Sequence, residues 1–89
     1  MTGRNHGVEV RDSDQGLEAR WEHAGGTQVL RFDHLPGTSP AYLASAADLD
    51  DLADRRAAND ILDAVAAWAR ARGAEAGLWH DDDGIEFIT

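Results

Sequence analysis

Histidine and aspartate side chains are the residues of this sequence best suited to chemistry. His23 and His34 fall near the ends of two predicted neighbouring strands, and His80 precedes the run Asp81–Asp83. Two imidazoles and a carboxylate are a ligand set that Zn²⁺ accepts. The spacing matches no known ligand signature, however, and polar side chains at strand ends are usually exposed to solvent. We therefore expect no metal site and no bound cofactor.

The aspartates suggest two further kinds of site, and the pattern favours neither. A calcium loop places its ligands at alternate positions and closes with a glutamate, whereas Asp81–Asp83 are consecutive and lead into Gly84. Asp50, Asp51 and Asp54 precede two arginines on a predicted exposed helix face, but a catalytic carboxylate needs burial or a forced like-charge neighbour. The sequence also contains no G-x-S-x-G, P-loop or G-x-G-x-x-G motif. The catalytic residues of an enzyme, if it is one, stay unknown.

The segment that must position these residues runs from Ala46 to Arg72 and is followed by Gly73. Apolar residues recur in it at spacings of three and four, which places them on one stripe of a helix: Leu49, Leu52, Ala53, Ala57, Ile61, Ala64, Val65 and Trp68. Ser45 and Asp48 have the spacing of a capping box, and glycine is the usual residue just after a helix. The segment is one long helix or two helices bent near Ala57–Asn59.

Short alternating segments surround this helix and predict strands at residues 8–11, 17–22, 27–34, 76–80 and 85–88. Gly25–Gly26 and Asp83–Gly84 are hairpin signals between them. Val29 and Leu30 are consecutive, so the third strand either is partly covered on both faces or contains a bulge. The Ser39–Pro40 pair suggests a short helical turn that carries Tyr42 and Leu43.

These elements predict an α+β fold. We expect an antiparallel sheet of about five strands, in the order β-β-β-α-β-β, with one long helix packed on one face. Residues 1–7 are polar and unpatterned, and we expect a disordered N-terminus there. Residues 8–89 then form a single α+β domain, because a chain of 89 residues supports one thin core.

One segment resembles a known family. Ile61–Trp79, ILDAVAAWARARGAEAGLW, is similar to the helix and following strand of GCN5-related N-acetyltransferases. The resemblance implies an acyltransferase-like protein that binds acyl-coenzyme A at the start of this helix. The family's pyrophosphate loop has the form R/Q-x-x-G-x-G/A, and the matching positions here are Asp54–Ala58, DRRAA, without the glycines. The resemblance therefore leads to a degenerate or minimal relative as one alternative for the function.

Charge and composition limit the classes of partner that the protein can bind. The net charge is −9, with twelve Asp, five Glu, eight Arg and no Lys. Such a surface repels nucleic-acid backbones and anionic membranes, so we expect no direct binding to either. An acidic, lysine-free surface is typical of proteins adapted to high salt. A high-GC genome is the alternative explanation for the absence of lysine, because its codon usage favours Arg over Lys. There is no cysteine and no apolar run long enough to span a membrane, and we expect a cytoplasmic protein.

Consecutive apolar residues on the strands carry the functional prediction. In each of the pairs Val29–Leu30, Leu78–Trp79 and Phe87–Ile88 the two side chains point to opposite faces, so some lie away from the helix. The predicted interface residues are Val29, Leu30, Trp21, Trp79 and Phe87. A second copy could cover them, or the segment Pro36–Ser45 could fold over them within one chain.

The best-supported function at this point is a small acidic, non-enzymatic protein-interaction domain that self-associates. A protein partner or a second copy suits so small a core better than a small-molecule ligand does. Besides the acyltransferase-like alternative, the charge of −9 on 89 residues also fits an acidic inhibitor or DNA mimic.

Overall fold

The computed structural model of the protein describes residues 2–5, 7–23, 25–35 and 40–88. Its strands are β1 (Thr2–Asn5), β2 (Val8–Ser13), β3 (Gly16–His23), β4 (Gly26–Leu35), β5 (Ala41–Ser45), β6 (Glu75–His80) and β7 (Gly84–Phe87). Its helices are α1 (Ala46–Leu52) and α2 (Arg55–Ala71). Among the described residues these strands form one mixed sheet with the helices on one face. The predicted α+β class is therefore confirmed.

The sheet follows the chain, because each strand pairs with its neighbours in sequence, in the order β1 to β7. All pairings are antiparallel except that of β5 with β6, which is parallel. Parallel strands cannot be joined by a tight turn, so the chain crosses from the end of β5 to the start of β6 through α1 and α2. This crossover lays both helices against the sheet.

The core lies between the helices and the sheet. Ile61 and Val65 are fully buried and Trp68 is 7% exposed, which confirms the predicted stripe of α2. Alternate strand residues face this stripe, as a pleated strand requires: Val8, Val10, Leu17, Ala19, Trp21, Leu30, Phe32, Ala44, Ala76 and Leu78. The shortest dimension of the molecule is 21 Å, which fits one sheet and one helix layer.

The long helical segment is two helices, and the break lies at Ala53 and Asp54 rather than at Ala57–Asn59. Ala53 is extended, with φ −136° and ψ 145°. Asp54 then starts α2 as its N-cap, because its Oδ1 accepts a hydrogen bond of 2.8 Å from the Ala57 N–H. An aspartate that satisfies a free N–H in this way is a strong helix start, stronger than the signal at Asn59.

The outer ends of the two helices differ in how well the sequence predicts them. Ser45 is the N-cap of α1, but its side chain makes no capping hydrogen bond, so the predicted capping box does not form. Gly73 follows α2 with φ +68°, as predicted, and the Ala74 N–H bonds to the Ala69 carbonyl at 2.9 Å. This i→i−5 bond is the Schellman arrangement that a left-handed glycine permits.

The prediction of a five-stranded antiparallel sheet is wrong in two places. Thr2–Asn5 pairs with β2, although the sequence predicts disorder over residues 1–7; Met1 and His6 lie outside the described residues. An edge strand of this kind is added by backbone hydrogen bonds, which need no side-chain pattern. Ala41–Ser45 is strand β5 rather than a helical turn. Its residues are covered on both faces, so they do not alternate.

The position of β5 tests the prediction that the segment Pro36–Ser45 folds over the outer face of the sheet within one chain. Ala41–Ser45 lies within the sheet, between β4 and β6, and residues 36–39 lie outside the described part of the chain. The Tyr42 ring points toward the helices, 5.5 Å from the Trp68 ring. The described part of this segment therefore does not fold over the outer face.

Candidate functional site

The sheet surface opposite the helices, which we call the open face, carries the exposed apolar side chains of the described residues. It is formed by the strand residues that alternate with those of the core. Its large apolar members are Val29 (37% exposed), Leu35 (49%), Trp79 (42%), Ile85 (48%) and Phe87 (51%). Apolar surface of this extent on one side of a small domain is the feature most in need of a functional explanation.

The consecutive apolar pairs divide between the two faces as the sequence predicts. Val29 lies on the open face whereas Leu30 is 3% exposed in the core, and Trp79 lies on the open face whereas Leu78 is 5% exposed. Strand β4 pairs with β3 in one continuous register, so no bulge is present there. Leu30 and Phe32 are buried whereas Val29, Arg31 and Asp33 are exposed, so β4 is covered on one face only and neither explanation offered for the pair Val29–Leu30 holds.

Two of the predicted interface residues are not on the open face. Trp21 is 6% exposed and Leu30 is 3% exposed, and both pack in the core against the helices. The reason is their position in the alternation: Trp21 shares a face with the buried Leu17 and Ala19 of the same strand. Val29, Trp79 and Phe87 lie on the open face, and their role in an interface stays a prediction.

An apolar patch forms the part of the open face that belongs to β5, β6 and β7; its members are Leu43, Trp79, Ile85 and Phe87. Trp79 pairs with Ile85, while Leu43 and Phe87 flank Gly77 from its two neighbouring strands. A Cβ at Gly77 would lie 3.2 Å from Leu43 Cδ2 and 3.3 Å from Phe87 Cδ1. The missing side chain therefore lets these two groups pack over the strand.

An arginine cluster forms the other part of the open face, on β2, β3 and β4. Arg11, Arg20 and Arg31 surround Glu18, with N–O distances of 3.7, 3.8 and 3.6 Å. These distances exceed hydrogen-bond length, so the contacts are loose ion pairs. The sequence analysis missed this cluster, although the two hairpins fix the pairings Arg11–Glu18 and Glu18–Arg31 that create it.

A cleft of about 590 Å³ separates the two parts of the open face. The cleft arises because β4 and β5 pair over only three residues each. Residues 33–35 of β4 pair with residues 41–43 of β5, and the two strands then diverge. Apolar side chains line it, with Arg31 and three aspartates at its margin; the lining residues include Val29, Leu43, Leu52, Trp79, Asp33, Asp48 and Asp51. We call Asp33, Asp48 and Asp51 the acidic rim.

A second constellation, on the helix side of the sheet, fastens the end of α2 to the strands. The Arg72 guanidinium lies 3.0 Å from Asp12 Oδ2 and 3.9 Å from the centre of the Trp68 ring. The Trp68 ring meets Tyr42 edge-on at 5.5 Å, and Tyr42 lies 5.1 Å from the His34 ring. Because these contacts join β2, β4 and β5 to α2, they support the fold at the edge of the core.

The histidines are not brought together as a metal site would require. His34 borders a pocket of about 500 Å³ beside the turn at residues 12–16. His23 lies at the opposite end of the β3–β4 pair, and His80 Nε2 is 3.9 Å from Glu86 Oε1. Among the described residues there is no group of three or more His, Asp or Glu side chains that could hold a metal ion.

The start of α2 is where the acyltransferase resemblance would place a pyrophosphate. A helix N-terminus binds phosphate through free backbone N–H groups and its positive dipole end. Here the Ala57 N–H is bonded to the Asp54 carboxylate, and Asp50 and Asp51 precede it at the end of α1. A carboxylate already occupies the position, and its charge opposes a phosphate. The local geometry thus does not fit the resemblance.

Comparisons with protein-family models, with curated proteins and with solved structures find no match to this chain. Within the described residues, neither helix is long and apolar enough to cross a membrane.

Proposed function

We propose that this protein is a non-enzymatic interaction domain that self-associates through its open face. The observation that supports the proposal is the exposure of five large apolar side chains on one sheet surface, between 37% and 51% each. Contiguous apolar patches on small domains commonly mark interfaces, and a two-fold dimer is the commonest way to cover one.

The strength of this association is expected to be modest. Fully burying a large apolar side chain stabilises by about 1.5–3 kcal/mol, so five half-covered side chains on each of two copies contribute roughly 8–15 kcal/mol. Association costs about 4–15 kcal/mol in lost translational and rotational freedom. A net stabilisation of about 4–5.5 kcal/mol falls within the balance of these ranges and corresponds to a dissociation constant of about 0.1–1 mM, so we expect a dimer that forms at high micromolar concentration rather than an obligate one.

Light scattering after size exclusion, over a range from about 10 μM to 1 mM, tests this proposal. The parent chain is expected to move from monomer to dimer mass within that range. Trp79→Glu and Phe87→Glu place a charge on the open face and should keep the mass monomeric. Ala67→Glu adds the same charge on the exposed outer side of α2 and is the matched control. A parent chain that stays monomeric at 1 mM, in both low and high salt, contradicts the proposal.

A further inference from the structure

Strand β7 forms one edge of the sheet and is the more apolar of the two edges. Among the described strands it pairs with β6 and with no other. Ile85 and Phe87 are 48% and 51% exposed on it, whereas β1, at the opposite edge, has the sequence TGRN without a large apolar residue. An exposed apolar edge strand is a place where another extended chain can pair with the sheet.

The register of β7 shows which of its backbone groups face the outside of the sheet. In an antiparallel pair, residues that exchange hydrogen bonds with the neighbouring strand alternate with residues that do not. The Ile88 N–H donates to the Ala76 carbonyl at 2.9 Å, so Ile88 bonds toward β6. Glu86, two residues earlier in the same register, bonds toward β6 as well. The N–H and C=O groups of Ile85 and Phe87 therefore point outward, to the edge of the sheet.

An added strand would continue the side-chain pattern of β7. Ile85 and Phe87 are on the open face, whereas Glu86, opposite the buried Leu78, is on the helix side with its side chain 68% exposed. Side chains that lie opposite one another on the same face of neighbouring strands interact. The residues opposite Ile85 and Phe87 should therefore be apolar, and the residue between them should suit a carboxylate.

The charges around β7 favour a basic residue at that middle position. Residues 73–89 contain five acidic residues and no arginine, and among the described residues none of these carboxylates forms an ion pair with an arginine. The contact of Glu86 with His80 Nε2, at 3.9 Å, is longer than a hydrogen bond. Strands β5 and β6 carry no arginine, so the first arginine across the sheet is Arg31 on β4. Three strand spacings amount to about 14 Å, which exceeds the Debye length of about 8 Å at physiological ionic strength.

A second copy of the chain fits this edge less well than a basic segment does. The antiparallel register that uses both outward residues pairs Ile85 of each copy with Phe87 of the other. It therefore places the two Glu86 side chains directly opposite each other, where like charges destabilise a strand pair. A lysine or arginine at that position replaces the repulsion with attraction.

We propose that β7 binds an extended segment of a partner protein that pairs antiparallel with it and has the pattern apolar–basic–apolar. The two apolar residues lie opposite Ile85 and Phe87 and enlarge the apolar patch, and the basic residue lies opposite Glu86. Antiparallel pairing is favoured because it is slightly more stable per residue than parallel pairing. The inference goes beyond self-association, since it uses the backbone edge of the sheet and a different partner.

An NMR titration of the isotope-labelled full chain with synthetic peptides tests the proposal. The first probe, the lysine peptide, is a capped heptapeptide of alternating lysine and valine, and the chain is kept at about 20 μM, where it is expected to be mainly monomeric. The amide protons of Ile85 and Phe87 should exchange rapidly in the chain alone and several-fold more slowly with peptide bound, whereas those of Glu86 and Ile88 are protected in both states. The glutamate peptide, with glutamate in place of each lysine, is the charge control and should bind about tenfold more weakly or not at all.

Variants of β7 separate edge pairing from attraction between net charges. Ile85→Pro removes an outward N–H that makes no bond to β6, a position where edge strands tolerate proline, and should weaken binding of the lysine peptide about fivefold or more. Ile85→Val keeps the N–H with a side chain of similar size to proline and should change binding less than about twofold. Glu86→Lys should weaken the lysine peptide and strengthen the glutamate peptide, each about threefold or more. Asp50→Lys makes the same change of charge on the exposed side of α1 and should alter either less than about twofold.

Three results would overturn the inference. The first is a parent chain that does not bind the lysine peptide at about 1 mM. The second is equal binding by the parent and by Ile85→Pro; if that variant does not fold, as judged by circular dichroism, equal binding by the parent and by Glu86→Lys has the same meaning. Both leave the proposed self-association in place, because its test is the mass of the chain without peptide. The third is protection of the Ile85 and Phe87 amides that grows with chain concentration in the absence of peptide, which would assign this edge to a second copy.

Discussion

Gly77 shows how one residue without a side chain shapes the open face. A Cβ at this position would lie 2.9 Å from the Glu86 carbonyl oxygen, a backbone atom that cannot turn aside. We expect Gly77→Ala to cost about 1–3 kcal/mol, because overpacking forces β7 or its side chains to shift. Urea denaturation followed by circular dichroism measures this free energy.

Gly26 provides the control for that substitution. It also lies in a strand, but a Cβ there would meet nothing closer than the His23 carbonyl oxygen at 3.8 Å. Gly26→Ala is expected to be neutral or to stabilise by up to about 1 kcal/mol, because alanine restricts the unfolded chain. Equal losses of stability for the two variants would show that the contacts of Gly77 are not the cause.

Arg72 tests the contacts that fasten the end of α2. Arg72→Ala removes an ion pair with Asp12 and a guanidinium that stacks on Trp68. Both groups are partly exposed, so we expect a loss of about 1 kcal/mol rather than the larger value of a buried pair. Arg70→Ala removes the same charge from the last turn of the helix and is the control, with an expected loss below about 0.5 kcal/mol. Thermal melts of both variants give the comparison, and indistinguishable melting temperatures would argue against a stabilising role for these contacts.

At the scale of the elements, the stripe of α2 decides whether the domain folds. Ile61 is fully buried, so a carboxylate there has no partner, and Trp68 is 7% exposed, so Trp68→Asp removes a large buried ring that packs against Tyr42 and Arg72. Ile61→Asp and Trp68→Asp are each expected to cost several kcal/mol, which is comparable to the whole stability of a small domain. Ala67→Asp, on the exposed side of the same helix, should retain a cooperative melt and a native circular dichroism spectrum. A native spectrum for either core variant would contradict the placement of that helix face.

The elements that the sequence predicts well are those with a local signal. The stripe of α2 repeats at helical spacing over several turns, and the turn at residues 81–83 leads into the pair Asp83–Gly84, so both can be predicted from neighbouring residues. Strand β5 and its parallel pairing with β6 cannot be predicted from neighbouring residues. The five residues of β5 are covered on both faces, so their pattern does not alternate, and their partner lies across two helices. Only the assembled sheet gives this segment its conformation.

The residues of the open face can be predicted from the sequence only in part. Consecutive apolar residues must point to opposite sides of a strand, and this argument predicts that one member of each pair lies away from the helices. It cannot say which member of a pair is buried, so both Val29 and Leu30 are predicted interface residues although Leu30 is in the core. Trp21 belongs to no such pair, and only the packing of β3 against the helices shows that its face is the buried one. The arginine cluster needs the register of β2, β3 and β4, and the acidic rim needs the divergence of β4 from β5, which no local pattern encodes.

For the whole molecule, the distribution of charge is as important as its sum. The net charge is −9, and residues 73–89 contain five acidic residues and no arginine, which is −5 of that total. By contrast, three of the eight arginines lie together on the open face. Strand alternation places Glu9, Glu18, Glu22 and Asp33 on the same part of that face, so the arginines there are balanced by carboxylates and the excess negative charge lies elsewhere.

The fold itself should be stabilised by salt. Asp81–Asp83 are consecutive and exposed, and like charges this close repel one another in the folded chain. Added KCl shortens the Debye length from about 30 Å at 0.01 M to about 3 Å at 1 M, so the melting temperature should rise with salt. The measurement is a thermal melt at one low micromolar concentration, where the chain is expected to be monomeric. A variant with Asp82→Asn and Asp83→Asn lowers the net charge from −9 to −7, and it should melt higher in dilute buffer and gain less from KCl. A melting temperature that is unchanged or lower in molar KCl would contradict the repulsion argument and, with it, the interpretation of the acidic surface as adaptation to high salt.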